Sequence, residues 1–155
     1  MSVPDDEGFL RRFSEMEARL EIMALEAEYA RSWDTGDAEA WAALFTEAGR
    51  FEMVGVDGKA VLVVEGATAL VDFCVETNKT YKGLHCVHLP AVQLDGETAH
   101  GRIHFHWTGV REEPSRGQYD TLGHYETVYV RRAGRWRIAS RIERSMMDTI
   151  SSIAK

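Results

Sequence analysis

EAEYARSWDTGDAEAWAALFTEAGRF, residues 26–51, is the stretch that decides how this chain folds. Gly36 can take the left-handed conformation that ends a helix, and Asp37 can cap the start of the next, which runs through Trp41, Leu44 and Phe45. Two helices therefore meet at Asp34. Toward the N-terminus, over residues 5–33, Phe9, Phe13, Met16, Leu20 and Met23 recur at spacings of three and four. A second line runs through Ile22, Leu25 and Tyr29. That period belongs to one amphipathic helix. Toward the C-terminus, RFEMVGV (50–56) and KAVLVV (59–64) flank Asp57-Gly58, a strong hairpin signal. Gly66 then opens a short third helix with Ala69, Leu70, Phe73 and Cys74 on one face, and TNKTYKG (77–83) returns the chain to the surface.

Beyond Leu84 the pattern changes to strands: LHCVHLPAVQL (84–94), TAHGRIHFHWTGV (98–110), QYDTLGHYETVYVRR (118–132) and RWRIASRIERSMM (135–147). The connections are DGE, the polar loop EEPSRG and AG. Helices first and an antiparallel meander after them predict an α+β fold, with the helices closing one face of a curved sheet. Alternation places Ala99, Gly101, Ile103, Phe105 and Trp107 on the inner face of their strand, opposite Thr98, His100, Arg102, His104 and His106. Tyr119, Thr121, Gly123, Tyr125, Thr127 and Tyr129 share a face in the next strand. In the last strand the shared face is Trp136, Ile138, Ser140, Ile142 and Arg144, which makes Arg144 a candidate anion or oxyanion partner. His85 and His88 point to opposite sides of their strand.

With 155 residues the chain is expected to form a single domain over 1–155, large enough for a core without a disulfide or metal staple. Eighteen Lys and Arg against 25 Asp and Glu leave a formal charge of −7, which disfavours nucleic acid and anionic membranes as partners. Cys74 and Cys86 form no framework or CxxC pair, and residues 1–13 have no long apolar stretch, so a cytoplasmic setting is expected. No phosphate loop or dinucleotide fingerprint is present, and no cofactor is expected. His104-Phe105-His106 places two imidazoles on one side of a strand, with His85 or His88 as a third ligand in a metal reading. The bland alternative is a solvated or interface face.

Four segments in order, 26–51, EGATALVDF (65–73), HCVHLPAVQLDGETAHGR (85–102) and GHYETVYVRRAGRWRIASR (123–141), resemble the SnoaL-like branch of the nuclear-transport-factor-2-like superfamily. The likeness spans about residues 13–147. In pattern the chain is most similar to the bile-acid dehydratase, scytalone dehydratase and hexachlorocyclohexane dehydrochlorinase members. The resemblance implies a cone-shaped α+β barrel around a hydrophobic cavity, and a homodimer or higher homo-oligomer, for which exposed aromatic sheet surface also argues. Residue by residue, it places the family's Asp on Asp34, its Tyr on Tyr29 and its His on His85. His85 is chosen over His88 because fourteen residues separate it from Ala99. A polar residue on the next strand would fall near Trp107, which does not titrate, so that role is empty or moved to His104 or His106. The family's last-strand Arg falls at or beside Arg144, one residue off.

These residues suit proton transfer. Histidine takes and returns a proton near neutral pH, and a carboxylate on its far nitrogen fixes the tautomer. The expected function is a cofactor-independent dehydratase, other lyase or isomerase acting on a small hydrophobic, cyclic or aromatic compound. His85, Asp34 and Tyr29 are the catalytic candidates; Tyr125, Arg144, Trp107, Phe105 and His88 are the substrate-binding ones. Retro-aldol C–C cleavage by the same base and a non-catalytic ligand-binding module are the alternatives.

Overall fold

In the computed structural model, which describes residues 6–112 and 115–152, helix α1 runs Asp6–Thr35 and a one-turn helix α2 runs Ala38–Ala42. Gly36, at φ 72°, makes the break between them, and Asp37 caps α2 by accepting from the Ala40 N–H. Strands β1 (Phe45–Val54) and β2 (Ala60–Glu65) form the expected hairpin, and α3 spans Ala67–Thr80. The remaining strands are β3 (Tyr81–Val87), β4 (Ala91–Asp95), β5 (Thr98–Arg111), β6 (Gly117–Arg132) and β7 (Arg135–Ser152). Of the loop EEPSRG, Glu113 and Pro114 lie outside the described residues.

The α+β architecture matches the expectation. The sheet runs β2-β1-β7-β6-β5-β3, with β4 also on β5, and it is open rather than closed into a barrel. One pairing departs from a meander: β1 runs parallel to β7, so the strand that follows the helices sits against the C-terminal strand. Residues 84–94 form two strands, because Pro90 has no N–H to give to the β5 ladder. The third helix is longer than its apolar spacing predicts and passes directly into β3 at Tyr81.

On α1 the two apolar lines have different fates. Ile22, Leu25 and Tyr29 are buried, whereas Phe9, Phe13, Met16 and Leu20 are each more than half exposed, so burial on this helix begins only at Ala18. The sheet aromatics expected to drive self-association mostly face inward: Phe105, Trp107, Tyr125 and Tyr129 are core residues.

The phase of β7 changes twice. Tyr129 pairs with Ile138 but Val128 with Ser140, and Gly123 pairs with Ser145 but Leu122 with Met147, so Ala139 and Met146 are extra residues. Each such bulge moves the following side chains to the other face. Trp136 and Ile138 are inside as expected, but Arg141 and Glu143 follow them inside, and Ser140, Ile142 and Arg144 turn outward. The single inner row expected from Trp136 to Arg144 is therefore corrected at Ala139.

Arg141 is fully buried and needs its charge matched. Its Nη2 donates to Glu26 Oε1, its Nε donates to Thr127 Oγ1 at 3.1 Å, and the Tyr129 hydroxyl donates to the same Glu26 oxygen at 2.6 Å. Burial opposes the guanidinium charge, but the Glu26 carboxylate more than restores it and holds the Arg141 pKa above its ordinary value. Removing one partner of such a pair strands the other charge in the interior. Glu26→Gln should cost about 3–5 kcal/mol, read as a lowered urea midpoint at unchanged slope.

Candidate active site

The residues that carry chemistry converge where α1 ends over the β3 edge. Asp34, in the last turn of α1, uses both oxygens on one residue. Oδ2 accepts the backbone N–H of His85 at 2.8 Å, and Oδ1 lies 2.6 Å from His85 Nδ1. The backbone bond fixes where β3 meets the helix, and the ring bond assigns Nδ1 as the protonated nitrogen of neutral His85. Side-chain exposures of 5% for His85 and 10% for Asp34 keep the pair out of bulk water. The other ring nitrogen, Nε2, lies 3.2 Å from the Tyr125 hydroxyl, which can donate to it.

These groups open on a cavity of about 240 Å³ between the helices and the sheet. Its wall is mostly aromatic: Trp33 and Phe73 from the helices, Phe51 from β1, Tyr81 from β3, Phe105 and Trp107 from β5, and Tyr119 from β6. Phe105 stacks on Tyr125 with ring centroids 4.3 Å apart, which holds the Tyr125 hydroxyl in place at His85. Tyr29 meets Tyr125 edge-on at 5.6 Å and His85 at 6.2 Å. Behind the two tyrosines the Arg141 guanidinium lies 4.0 Å from the Tyr29 ring centre and 4.6 Å from that of Tyr125. Such contacts favour a desolvated cation over a ring face. Burial raises the pKa of both phenols, opposed in each by Arg141, so they serve as hydrogen-bond donors at neutral pH.

Of the residues read from the sequence, Asp34, His85, Tyr29, Tyr125, Phe105 and Trp107 are brought together at this cavity; all but Asp34 line it directly. Arg144 and His88 are not. The bulge at Ala139 turns Arg144 to the outer face, where its Nε donates to Glu126 Oε2 at 2.9 Å. His88 lies beyond the end of β3, its ring 6.2 Å from that of His104. His104 pairs with His124 across β5 and β6 on the outer face, and His106 Nε2 lies 3.1 Å from Asp120 Oδ1, also away from the cavity. Among the described residues no group of three or more His, Cys, Asp or Glu side chains is placed to hold a metal ion.

Glu26, Arg141 and Glu143 were not singled out from the sequence. A charged residue one position from the Leu25 line of α1 was a usable signal for Glu26. Nothing local marked the other two. Glu143 lines the cavity, and burial pushes its carboxyl up to about 7, with the Asp148 carboxylate adding to the rise and Arg141 opposing it.

The helices thus lie over one face of an open sheet, with a carboxylate–imidazole pair at the wall of an aromatic cavity. Residues 14–142 match the SnoaL-like domain, and the chain belongs to that family. Among solved structures, a protein of unknown function from Mycobacterium tuberculosis is 30% identical, with a TM-score of 0.71 over 92% of this chain and 76% of the other. A hexachlorocyclohexane dehydrochlorinase shares 14% identity and a TM-score of 0.79 over 93% and 97% of the two chains. A protein described as a scytalone dehydratase from Novosphingobium aromaticivorans shares 20% identity and a TM-score of 0.72 over 92% and 91%. The last two likenesses are of fold. No curated protein matches the sequence. No helix among the described residues is long and apolar enough to cross a membrane.

Because the native Glu143 carboxyl titrates above its ordinary 4.5, the folded state favours its protonated form. The stabilisation is complete below about pH 4.5 and is lost as pH rises to about 7. Wild type should lose about 2–3 kcal/mol across that window relative to Glu143→Gln, measured by urea unfolding at a series of pH values.

Proposed function

We propose that this protein is a cofactor-independent lyase that removes a carbon-bound proton from a small cyclic or aromatic compound and expels a leaving group, water in the favoured case. The observation behind this reading is the double grip of Asp34 on His85, which leaves His85 Nε2 as the available base at the cavity. Both relatives named for an elimination share the fold, which agrees with the reading but does not specify a substrate.

The steps follow from the geometry. Asp34 holds the Nδ1 proton and stabilises the imidazolium that forms when Nε2 accepts a proton, the role of the carboxylate in other acid–base pairs. At 3.2 Å the Tyr125 hydroxyl is a long donor to Nε2, so its hydrogen can rotate toward charge developing on a substrate oxygen while the ring stays clamped on Phe105. Tyr29, backed by Arg141, also lines the cavity. The aromatic wall lowers the local dielectric, which strengthens each of these interactions. Isomerisation needs the same base, with the proton returned to another carbon. Self-association and a cytoplasmic setting belong to this proposal as well, the former supported by the exposed apolar line from Phe9 to Leu20 on α1.

The test is dehydration of a hydroxytetralone, a β-hydroxy ketone fused to an aromatic ring, followed by the absorbance of the naphthol formed. His85→Ala and Asp34→Asn should each lower kcat by about a hundredfold to ten-thousandfold. Tyr125→Phe should lower it by about a hundredfold, the usual loss of one oxyanion donor. Wild-type kcat retained in both His85→Ala and Asp34→Asn would remove the base from the reading. Release of an aldehyde instead of water, with the same dependence on His85, would assign C–C cleavage. Ligand binding with no product from wild type would assign a binding module.

A further inference from the structure

We propose that Glu143 is the second acid–base group of this cavity, giving its proton to an oxygen of the bound compound, so that the ligand is a neutral hydroxy or carbonyl compound and not an amine. The inference rests on the reading of His85 as the base and adds its counterpart. Two other carboxylates near the cavity are committed, Asp34 to His85, and Glu26 to Arg141 and Tyr129, while Asp148, further along β7, is exposed and does not line it. Glu143 has no hydrogen-bond partner among the described residues, and it faces the cavity only because the Ala139 bulge turns it there.

Register gives its place. Glu143 pairs with Tyr125 across β6 and β7 and with Met53 across β1 and β7, and all three line the cavity. Cross-strand partners have adjacent side chains on one face, so the Glu143 carboxyl stands beside the tyrosine whose hydroxyl reaches His85. Glu143 and His85 thus both neighbour Tyr125, one through the ladder and the other through its hydroxyl. Two further polar atoms in the wall, Trp107 Nε1 and Thr121 Oγ1, are buried without a partner among the described residues. An indole N–H can only donate, so it matches a ligand oxygen and opposes an ammonium group.

Burial, more than the charges around it, lifts the Glu143 carboxyl to about 7. Asp148 repels a second negative charge and Arg141 favours one, both from β7, while burial sets the net direction toward the acid. Tyr125 and Tyr119 on β6, Tyr29 on α1 with Glu26 behind it, and Tyr81 and His85 on β3 are the other titratable groups on this cavity. The wall residues from β1 and α3, Phe51, Met53, Phe73 and Thr77, do not titrate in this range.

In the elimination, His85 Nε2 takes the proton and the C–H electron pair becomes the new C=C bond. The C–O bond breaks with its pair going to oxygen, which takes the Glu143 proton and leaves as water. Imidazolium and carboxylate remain, and transfer of one proton from His85 to Glu143 after product release restores both. No oxidant or co-reactant is needed.

The experiment uses the free protein and then tetralone, a ketone with no leaving group, so it reads Glu143 without turnover. In infrared spectra of the free protein, a protonated-carboxyl band present at about pH 6 should fade by about pH 8 and be missing from Glu143→Gln. Tetralone should bind wild type about tenfold more weakly at about pH 8 than at about pH 6, with its carbonyl stretch lowered at the acid end. Glu143→Gln, a neutral donor of similar shape, should bind it equally at both. Absence of the titrating band, pH-independent or undetectable tetralone binding by wild type, or tighter binding of aminotetralin that depends on Glu143 would each overturn the proposal. A hydroxytetralone left unconverted while these tetralone results hold would instead count against elimination and leave the donor role intact.

Discussion

The carboxylate of Asp34 ties the end of α1 to the edge of the sheet through one residue, His85, at the wall of the cavity. Its bond to the His85 backbone does structural work, joining two elements fifty-one positions apart. Its bond to the ring does chemical work, because it decides which nitrogen faces the cavity. One side chain thus fixes both the position of the His85 ring and the nitrogen it turns to the aromatic cavity.

A second buried charge supports the first from behind. Arg141 is held by Glu26 and Thr127, and its guanidinium lies against both tyrosines that face the ligand space. The floor of the cavity is therefore an ion pair under a layer of phenols rather than hydrocarbon. It fixes the two hydroxyl donors, and it places a positive charge within reach of any negative charge that develops on a bound oxygen. Burial raises the Glu143 carboxyl, Asp148 adds to the rise, and this cation opposes it.

Where backbone geometry is regular, the sequence was enough to place side chains on the cavity wall. Strands β5 and β6 alternate without interruption across their shared ladder, so Phe105, Trp107, Tyr119 and Tyr125 could be assigned to the inner face by counting in twos. The helix stop at Gly36 located Asp34, and family pattern chose His85 over His88. The failures lie where a residue is inserted or a helix outruns its support. In β7, Ile138 and Ile142 are four apart, a spacing that looks like unbroken alternation, while the extra Ala139 sends Ile142 and Arg144 outward and brings Arg141 and Glu143 in. No side chain near Ala139 signals this; the bulge is visible only in the pairing with β6. On α1 the line from Phe9 to Leu20 has the same period as the buried one, and periodicity alone does not say which of two apolar lines meets the sheet.

The central claim is that Asp34 holds His85 as the tautomer whose free nitrogen faces the cavity. Nitrogen-15 NMR of histidine-labelled protein near neutral pH tests it most directly. The account predicts that His85 is protonated at Nδ1, with a strongly deshielded proton that disappears in Asp34→Asn, and that Nε2 has the shift of an unprotonated acceptor. A proton found on Nε2 with Nδ1 bare, or a His85 spectrum unchanged by the Asp34 substitution, would contradict it.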